Sequence, residues 1–467
     1  MKNQILKFGA VLMITAGLFQ PTNSTSQTVA GGDYHSLSVC SDNTVRAWGY
    51  NAYGQLGDGT TTNRNISTGV TGLEGIIAVN GGQNFSMALK NNGTVYTWGG
   101  NDKGQLGDGT ISNKFHPINV NGLSGIMAIS TGFFHSIALK NDGTVWTWGW
   151  NSNGQLGDGT INDRHTPIQV PGLSGIIAVC GAGEHSFALR NDGSVWAWGR
   201  NLNGELGDGT TTDRQSPIHI TALAGITSIA GGGMHSMALK NDGTVWTWGG
   251  NTFGQLGNGG NTESLTPIMI TTLSGIIEIG CGGVNSVALK NDGTVWTWGY
   301  NPNGELGDGT TINRNAPVQV SNLTDVLSIA VGADHTLASK SDGTFWVWGL
   351  NAFGQLGDGT NSVRLTPVQI LTYCPLVAGV SNIQKSSSLS IVPNPNNGIF
   401  NIVINKEKLT SDNNNLSVYN AMGEKVYEST LTSLKDNVID ITKQAAGVYY
   451  IKMKIGDELT TNKFIKL

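Results

Sequence analysis

Asn141-Asp142-Gly143-Thr144-Val145-Trp146-Thr147-Trp148-Gly149, followed a few residues later by Gly154-Gln155-Leu156-Gly157-Asp158-Gly159-Thr160, is the stretch that decides the fold. Asp142-Gly143 favours the positive φ angles of a tight hairpin turn. Residues 136–140 and 144–148 on either side read as its two strands. Residues 126–129 upstream are a short apolar run that suits a third strand. Residues 167–170 suit a fourth, opening with Pro167 where an edge position tolerates a missing donor. Trp146 and Trp148 fall on one face of their strand and Val145 and Thr147 on the other, so both faces carry bulk and the strict apolar–polar alternation fails. Nothing in the unit has a helical period.

The same unit recurs. Trp48, Trp98, Trp148, Trp198, Trp248, Trp298 and Trp348 are spaced by 50 residues, each followed by Gly, with no insertion or deletion. Repeat 1 has Arg46 and repeat 2 has Tyr96 where the other five have the first Trp. Four short antiparallel strands per repeat make a propeller blade, and seven repeats predict an all-β, seven-bladed β-propeller over residues 27–373. An open solenoid would need capping repeats at both ends, and the sequence shows none. Residues 27–30 align with residues 77–80 as a first-type strand, whereas repeat 7 ends at a fourth-type strand. The expectation is that the N-terminal segment completes a blade left open by the C-terminal repeat.

Composition fits this reading. The 67 Gly among 467 residues suit a fold of tight turns, and 13 Trp, 12 Phe and 10 Tyr supply a core. Residues 1–26 read as an export signal: Lys2 and Lys7 precede an apolar run at residues 8–19, too short to span a bilayer. Small residues at Ser24-Thr25-Ser26 place the mature start at Gln27. No later stretch suits a transmembrane segment. Cys40, Cys180, Cys281 and Cys374 form no CxxC pair, which argues against zinc. Ring closure would bring Cys40 and Cys374 near each other; a disulfide there and free buried thiols both remain open.

Trp-Gly, Gly-x-x-His-Ser and Gly-Gln-Leu-Gly-Asp-Gly-Thr together resemble the regulator of chromosome condensation repeat family, and the resemblance implies a seven-bladed propeller. After a linker at residues 374–388, residues 389–467 lack Trp and read as strands at 389–392, 399–404, 416–421, 424–429, 448–455 and 462–466, a small C-terminal β-sandwich. The succession Pro393-Asn394-Pro395-Asn396-Asn397-Gly398, Tyr419-Asn420-Ala421-Met422-Gly423 and Gly447-Val448-Tyr449-Tyr450 resembles the sorting domain of type IX secretion substrates. That resemblance implies a partner, the type IX secretion machinery, and a secreted or outer-membrane surface location in a Bacteroidetes-type bacterium.

Two repeating columns invite chemistry. His35, His135, His185, His235 and His335 share one position, but equivalent residues on neighbouring sheets stand about 10 Å apart, too far to converge on one metal ion. A side chain hydrogen-bonded within its own blade is the reading preferred here. Asp58, Asp108, Asp158, Asp208, Asp308 and Asp358 each have a cation six residues on; in repeat 5, Asn258 and Ser264 replace both together. Such covariation predicts a structural ion pair. No catalytic residue, metal ligand or cofactor motif emerges.

Recognition is expected where the repeats differ, in loops on a rigid scaffold. Tyr34, Tyr50, Tyr53, Phe133, Phe134, Trp150, Arg200, Phe253, Tyr300 and Phe353 are the candidate binding residues, types enriched at interface anchors. Residues 27–373 carry 15 Lys and Arg against 24 Asp and Glu, a net of −9, which argues against nucleic acid. The expectation is a non-enzymatic module that binds an extracellular protein or glycan. An enzyme with its site at the propeller mouth and a structural or adhesive surface protein are the alternatives.

Overall fold

The computed structural model describes residues 29–370 except residue 341, Cys374, and segments of residues 389–466 that are mostly strands. The expected signal at residues 1–26, the start at Gln27 and nearly all of the linker lie outside the described residues. The chain divides into two compact units after Leu376. The first consists of seven four-stranded sheets, each built from four consecutive strands.

Blade 3 shows how the residues set the geometry. Its strands are Ile126–Thr131, His135–Lys140, Val145–Gly149 and Arg164–Gln169, paired in that order. In the hairpin, Ser136 pairs with Trp148 and Ala138 with Trp146. Gly143 has φ +79°, the left-handed value the turn requires. The register between the third and fourth strands slips between Thr147 and Gly149, which leaves Pro167 in the irregular stretch of an outermost strand. The fourth strand therefore begins three residues before the proline, at Arg164 rather than at Pro167.

Blades join through the Trp of the repeat's Trp-Gly pair. Each of the seven is fully buried, and its indole N–H donates to a backbone carbonyl in the preceding repeat: Trp98 to Gln55 (2.9 Å), Trp148 to Gln105 (2.9 Å), and so around to Trp48, which reaches Gln355 (2.9 Å). Gly107 shows why the neighbouring loop needs glycine. Its φ is +71°, and a Cβ there would lie 2.7 Å from Trp148 Nε1.

Two expectations are corrected. Val29–Gly31 does not complete the last blade; it pairs with His35–Val39 of its own repeat, and blade 7 holds four strands of its own between Val326 and Ile370. The strand count is right, but the 50-residue period coincides with one sheet, so the ring closes by packing blade 7 against blade 1. A disulfide between Cys40 and Cys374 bridges that seam, with Cα atoms 5.7 Å apart.

The histidines are corrected as well. His35 Nε2 meets Ser86 Oγ at 2.8 Å, His135 meets Ser186, His185 meets Ser236, His235 meets Ser286, and His335 meets Ser36. Each contact runs to the next blade rather than within one. Ser86 donates its own hydrogen to the Gln55 carbonyl, so His35 must donate through Nε2–H. Burial pushes all five imidazoles down to about 3, which keeps them neutral.

The second unit has two antiparallel sheets: Leu389–Val392, Ile399–Ile404 and Asn437–Asp440 in one, and Asn414–Asn420, Lys425–Thr430, Gly447–Ile455 and Glu458–Lys466 in the other. The strand Asn437–Asp440 was not expected from the sequence. Leu416, Val418, Ile439, Tyr449 and Ile451 are buried and give this sandwich its core.

Candidate functional site

Strand direction assigns the loops. The first-to-second-strand loops (residues 32–34 in blade 1) and the third-to-fourth-strand loops (residues 50–63) emerge at the same end of each sheet. The Asp-Gly-type hairpins and the links between blades emerge at the other. All ten candidate residues therefore lie on one face of the propeller.

The long loop is rigidly built. Asn151 Oδ1 accepts from Leu156 N–H (2.9 Å), and its Nδ2 donates to the Thr160 carbonyl (3.1 Å). Arg164 Nη2 pairs with Asp158 Oδ2 at 2.6 Å. Equivalent pairs join Asp58 to Arg64, Asp108 to Lys114, Asp208 to Arg214, Asp308 to Arg314 and Asp358 to Arg364, as the covariation predicts. Burial works against the charge on Asp158, but hydrogen bonds from Thr160 and Arg164 hold its carboxyl below the ordinary range.

On this base the candidates assemble into three clusters, two of which cross a blade boundary. Tyr50 packs on Phe353 of blade 7 (ring centroids 4.7 Å), Tyr34 on Phe353 (5.6 Å), and Tyr53 on Tyr50 (6.3 Å). Phe134 meets Trp150 edge-on at 5.8 Å, and Phe253 of blade 5 meets Tyr300 of blade 6 at 4.9 Å. Tyr53 is 40% exposed, and the other aromatic candidates are half-buried. Tyr50, Trp150 and Tyr300 thus share a face but sit in three separate clusters. Arg200 is tied down, with Glu184 Oε2 at 3.5 Å and Glu205 Oε1 at 3.6 Å.

Phe133 belongs to a different place. It lines the central channel, a cavity of about 350 Å³ walled by first strands and glycine-rich loops. Its position in the other repeats is held by Asp33, Gln83, Gly183, Gly233, Gly283 and Ala333, so side chains crowd one side of the channel mouth and leave the other bare. Backbone bonds run from loop to loop around this mouth, including Gln83 N–H to the Phe133 carbonyl (3.0 Å) and Phe133 N–H to that of Gly183 (3.0 Å).

Sequence reasoning overlooked Asp33 and Glu305. Burial pushes Asp33 up to about 7; a hydrogen bond to Gln83 opposes the rise and the Asp334 charge adds to it. Burial raises Asp334 and Glu305 too, and Tyr34 is raised by burial and then by Asp334 and Asp33. The available signal was column variation: Asp33 occupies a column with Gln, Phe, Gly and Ala, and Glu305 one that is otherwise Gln except at Glu205. Among the described residues, no group of three or more His, Cys, Asp or Glu is placed to hold a metal ion, and no helix is long and apolar enough to cross a membrane.

The comparisons with known proteins agree with this architecture. Models of the regulator of chromosome condensation (RCC1) repeat match residues 42–89, 92–139 and 142–189, with a second repeat model on 27–55, 76–105 and 127–155. An RCC1-like domain model matches residues 171–402, and a secretion system C-terminal sorting domain matches residues 390–467. The structure of human WBSCR16 is similar at 23% identity and TM-score 0.64, over 70% of this chain and 94% of that one. Prp20p from Saccharomyces cerevisiae, described with its binding to Gsp1p and histones, is similar at 23% identity and TM-score 0.63, over 74% and 87% of the two chains. Yeast RCC1 (Prp20) bound to Kap60 is similar at 21% identity and TM-score 0.63, over 80% and 93%. At these identities the structures speak for the fold alone. The chain belongs to the regulator of chromosome condensation repeat family, and it ends in a secretion-system sorting domain that marks a protein destined for secretion or the cell surface.

Proposed function

We propose that the mature protein is an exported, non-enzymatic recognition module that binds another protein through the loop face of its propeller. The observation that carries this reading is the set of half-exposed aromatic clusters, two of them spanning neighbouring blades and all on one face. Aromatic side chains offer large contact area with few torsions to freeze, which is why they anchor protein interfaces. Except in blade 5, where Asn258 and Ser264 replace the pair, the loops beneath them are braced by ion pairs, so little ordering is left for the moment of binding.

Two facts support the rest. The sorting domain at residues 390–467 supplies the export route through a type IX machinery. Five histidines are committed to blade-to-blade contacts with neutral rings, which leaves none of these five as a general base at the channel mouth. Prp20p, a propeller of this repeat type, is described as binding proteins, and that use of the fold is the one inferred here.

The test is affinity capture from the organism's surroundings with the purified full chain, beside a Tyr50→Ala, Trp150→Ala, Tyr300→Ala version. Saturable capture of a protein, lost in the triple variant, is the expected outcome. Capture of glycan alone, or of a protein equally well by both versions, overturns the assignment of this face and moves weight to a structural role.

A further inference from the structure

The loop face carries carboxylates in two settings. On blade 4, Glu184 and Glu205 flank Arg200, at 3.5 and 3.6 Å. At the seam between blades 7 and 1, Asp33 and Asp334 have no Lys or Arg within ion-pair distance among the described residues. The position held by Arg200 in repeat 4 is Tyr50 in repeat 1, Tyr300 in repeat 6 and Leu350 in repeat 7. Blade 7 thus keeps one acid of that arrangement, Asp334 in the column of Glu184, and has Leu350 where blade 4 has Arg200.

These carboxylates stand beside the largest aromatic cluster. Asp33 lines the channel wall and directly precedes Tyr34, which packs on Phe353 at 5.6 Å. Asp334 holds on blade 7 the place Tyr34 holds on blade 1, and its charge reaches both Asp33 and Tyr34. Unneutralised carboxylates in a poorly solvated spot favour a cation brought from outside, and ring faces attract the same kind of group.

We propose that the seam between blades 7 and 1 receives an Arg or Lys side chain from a basic segment of a partner protein, held between the Tyr34, Tyr50 and Phe353 rings and the Asp33 and Asp334 carboxylates. This rests on the protein-binding reading of the loop face and names the partner's chemistry. The net charge of −9 over residues 27–373 favours approach of such a segment, and Arg is the charged residue most enriched at interface centres.

The test is calorimetric titration of the full chain with hexa-arginine, with hexa-glutamate as control probe. Saturable binding of hexa-arginine alone is expected, weakened at least tenfold in Asp33→Asn/Asp334→Asn. Asp42→Asn/Asp142→Asn removes the same charge from exposed hairpins on the opposite face and is expected to bind as the parent does. Equal weakening in the two Asp→Asn pairs, or none in either, overturns the proposal by showing diffuse attraction. Protein capture that is lost with the aromatic triple variant but intact in Asp33→Asn/Asp334→Asn leaves the recognition face standing and removes only its cation.

Discussion

The junction between blades 7 and 1 and the junction between blades 6 and 7 invert what chain connectivity suggests. The former joins the two ends of the repeat array, yet nothing is missing from it. Trp48 donates to the Gln355 carbonyl, His335 meets Ser36 at 2.8 Å, Asn65 and Gly359 exchange hydrogen bonds, and Cys40–Cys374 bonds across it. The latter is covalently continuous and irregular. Asn285 replaces His and Thr336 replaces Ser, and both amide atoms of Asn285 and the Thr336 hydroxyl are buried without a partner. Asn is too short to cross to Thr336 as His crosses to Ser. In the same interface Glu278 is 7% exposed and is met only by Ser328 Oγ–H (3.1 Å) and Ile329 N–H (3.4 Å). The linker between these blades holds Asn322 (φ 55°) and Asp325 (φ 60°) in the left-handed region. A closed ring tolerates defects where the chain itself limits separation of the blades, and it needs every device where only packing holds the ends.

The largest effect is expected from opening that strong seam. Cys40→Ser with Cys374→Ser releases a cross-link over 334 residues, and the loss is on the order of 2–5 kcal/mol. Thermal melting should show it, and hydrogen exchange should show blades 1 and 7 losing protection before blade 4. Protection lost first at blades 6 and 7 would reverse the ranking of the two junctions.

Next comes the buried carboxyl. Burial pushes Glu278 from 4.5 up to about 8, against the hydrogen bonds from Ser328 and Ile329. Between those values the unfolded chain is ionised while the folded protein holds the proton. The folded state therefore loses stability as pH rises from about 4.5 to about 8 and changes little beyond. Glu278→Ala, which installs the residue found at Ala78, Ala128 and Ala178, is expected to gain about 1–3 kcal/mol at pH 8 and much less at pH 5. Denaturant midpoints at the two pH values check this; an equal gain at both would remove the titration from the explanation.

How far these features could be read in the sequence differs with their range. The Trp column and the Asp-Gly hairpins are local signals, and they gave the blade, the count of seven and the all-β class. The disulfide could be placed as an option because closure is a property of the whole array. Pairing of residues 29–31 could not be read: the strand count is the same whether they join their own sheet or the last one, and three residues carry too little pattern to choose. The His partner escaped for a related reason, since Ser86 lies in the next repeat and becomes a neighbour only when the blades stack. Site reading was partial in the same way. Individual aromatics stood out, but the contact of Tyr34 with Phe353 joins the first repeat to the last, and Asp33 hid in a column of dissimilar residues. The short strand Asn437–Asp440 has no alternation long enough to announce itself.

Restoring the missing contact tests the weak junction directly. Asn285→His combined with Thr336→Ser should recreate the bond seen at five other junctions and raise stability by about 1 kcal/mol, roughly the worth of one buried hydrogen bond. Thr336→Ser alone should not do so, because Asn285 stays too short, whereas Asn285→His alone already faces the Thr336 hydroxyl and should recover part of the gain. A double-mutant cycle by chemical denaturation isolates the coupling; additive effects would mean that the two polar groups are already satisfied in solution.

The smallest expected effect lies in the linker. Gly75, Gly125, Gly175, Gly225 and Gly275 have φ near +67°, and Asp325 adopts nearly the same angle with a side chain attached. Asp tolerates the left-handed region better than most residues but does not reach it freely, while Gly enters it without steric penalty and loses more freedom on folding. These terms oppose each other, so Asp325→Gly should gain less than about 1 kcal/mol. Asp325→Val removes the polar side chain and adds β-branching at the same φ, so it should destabilise by more than Asp325→Gly stabilises. Denaturation midpoints for this pair tell whether the backbone angle strains the linker, since a neutral Asp325→Val would show that the link relaxes and that the weakness of this junction lies wholly in Glu278, Asn285 and Thr336.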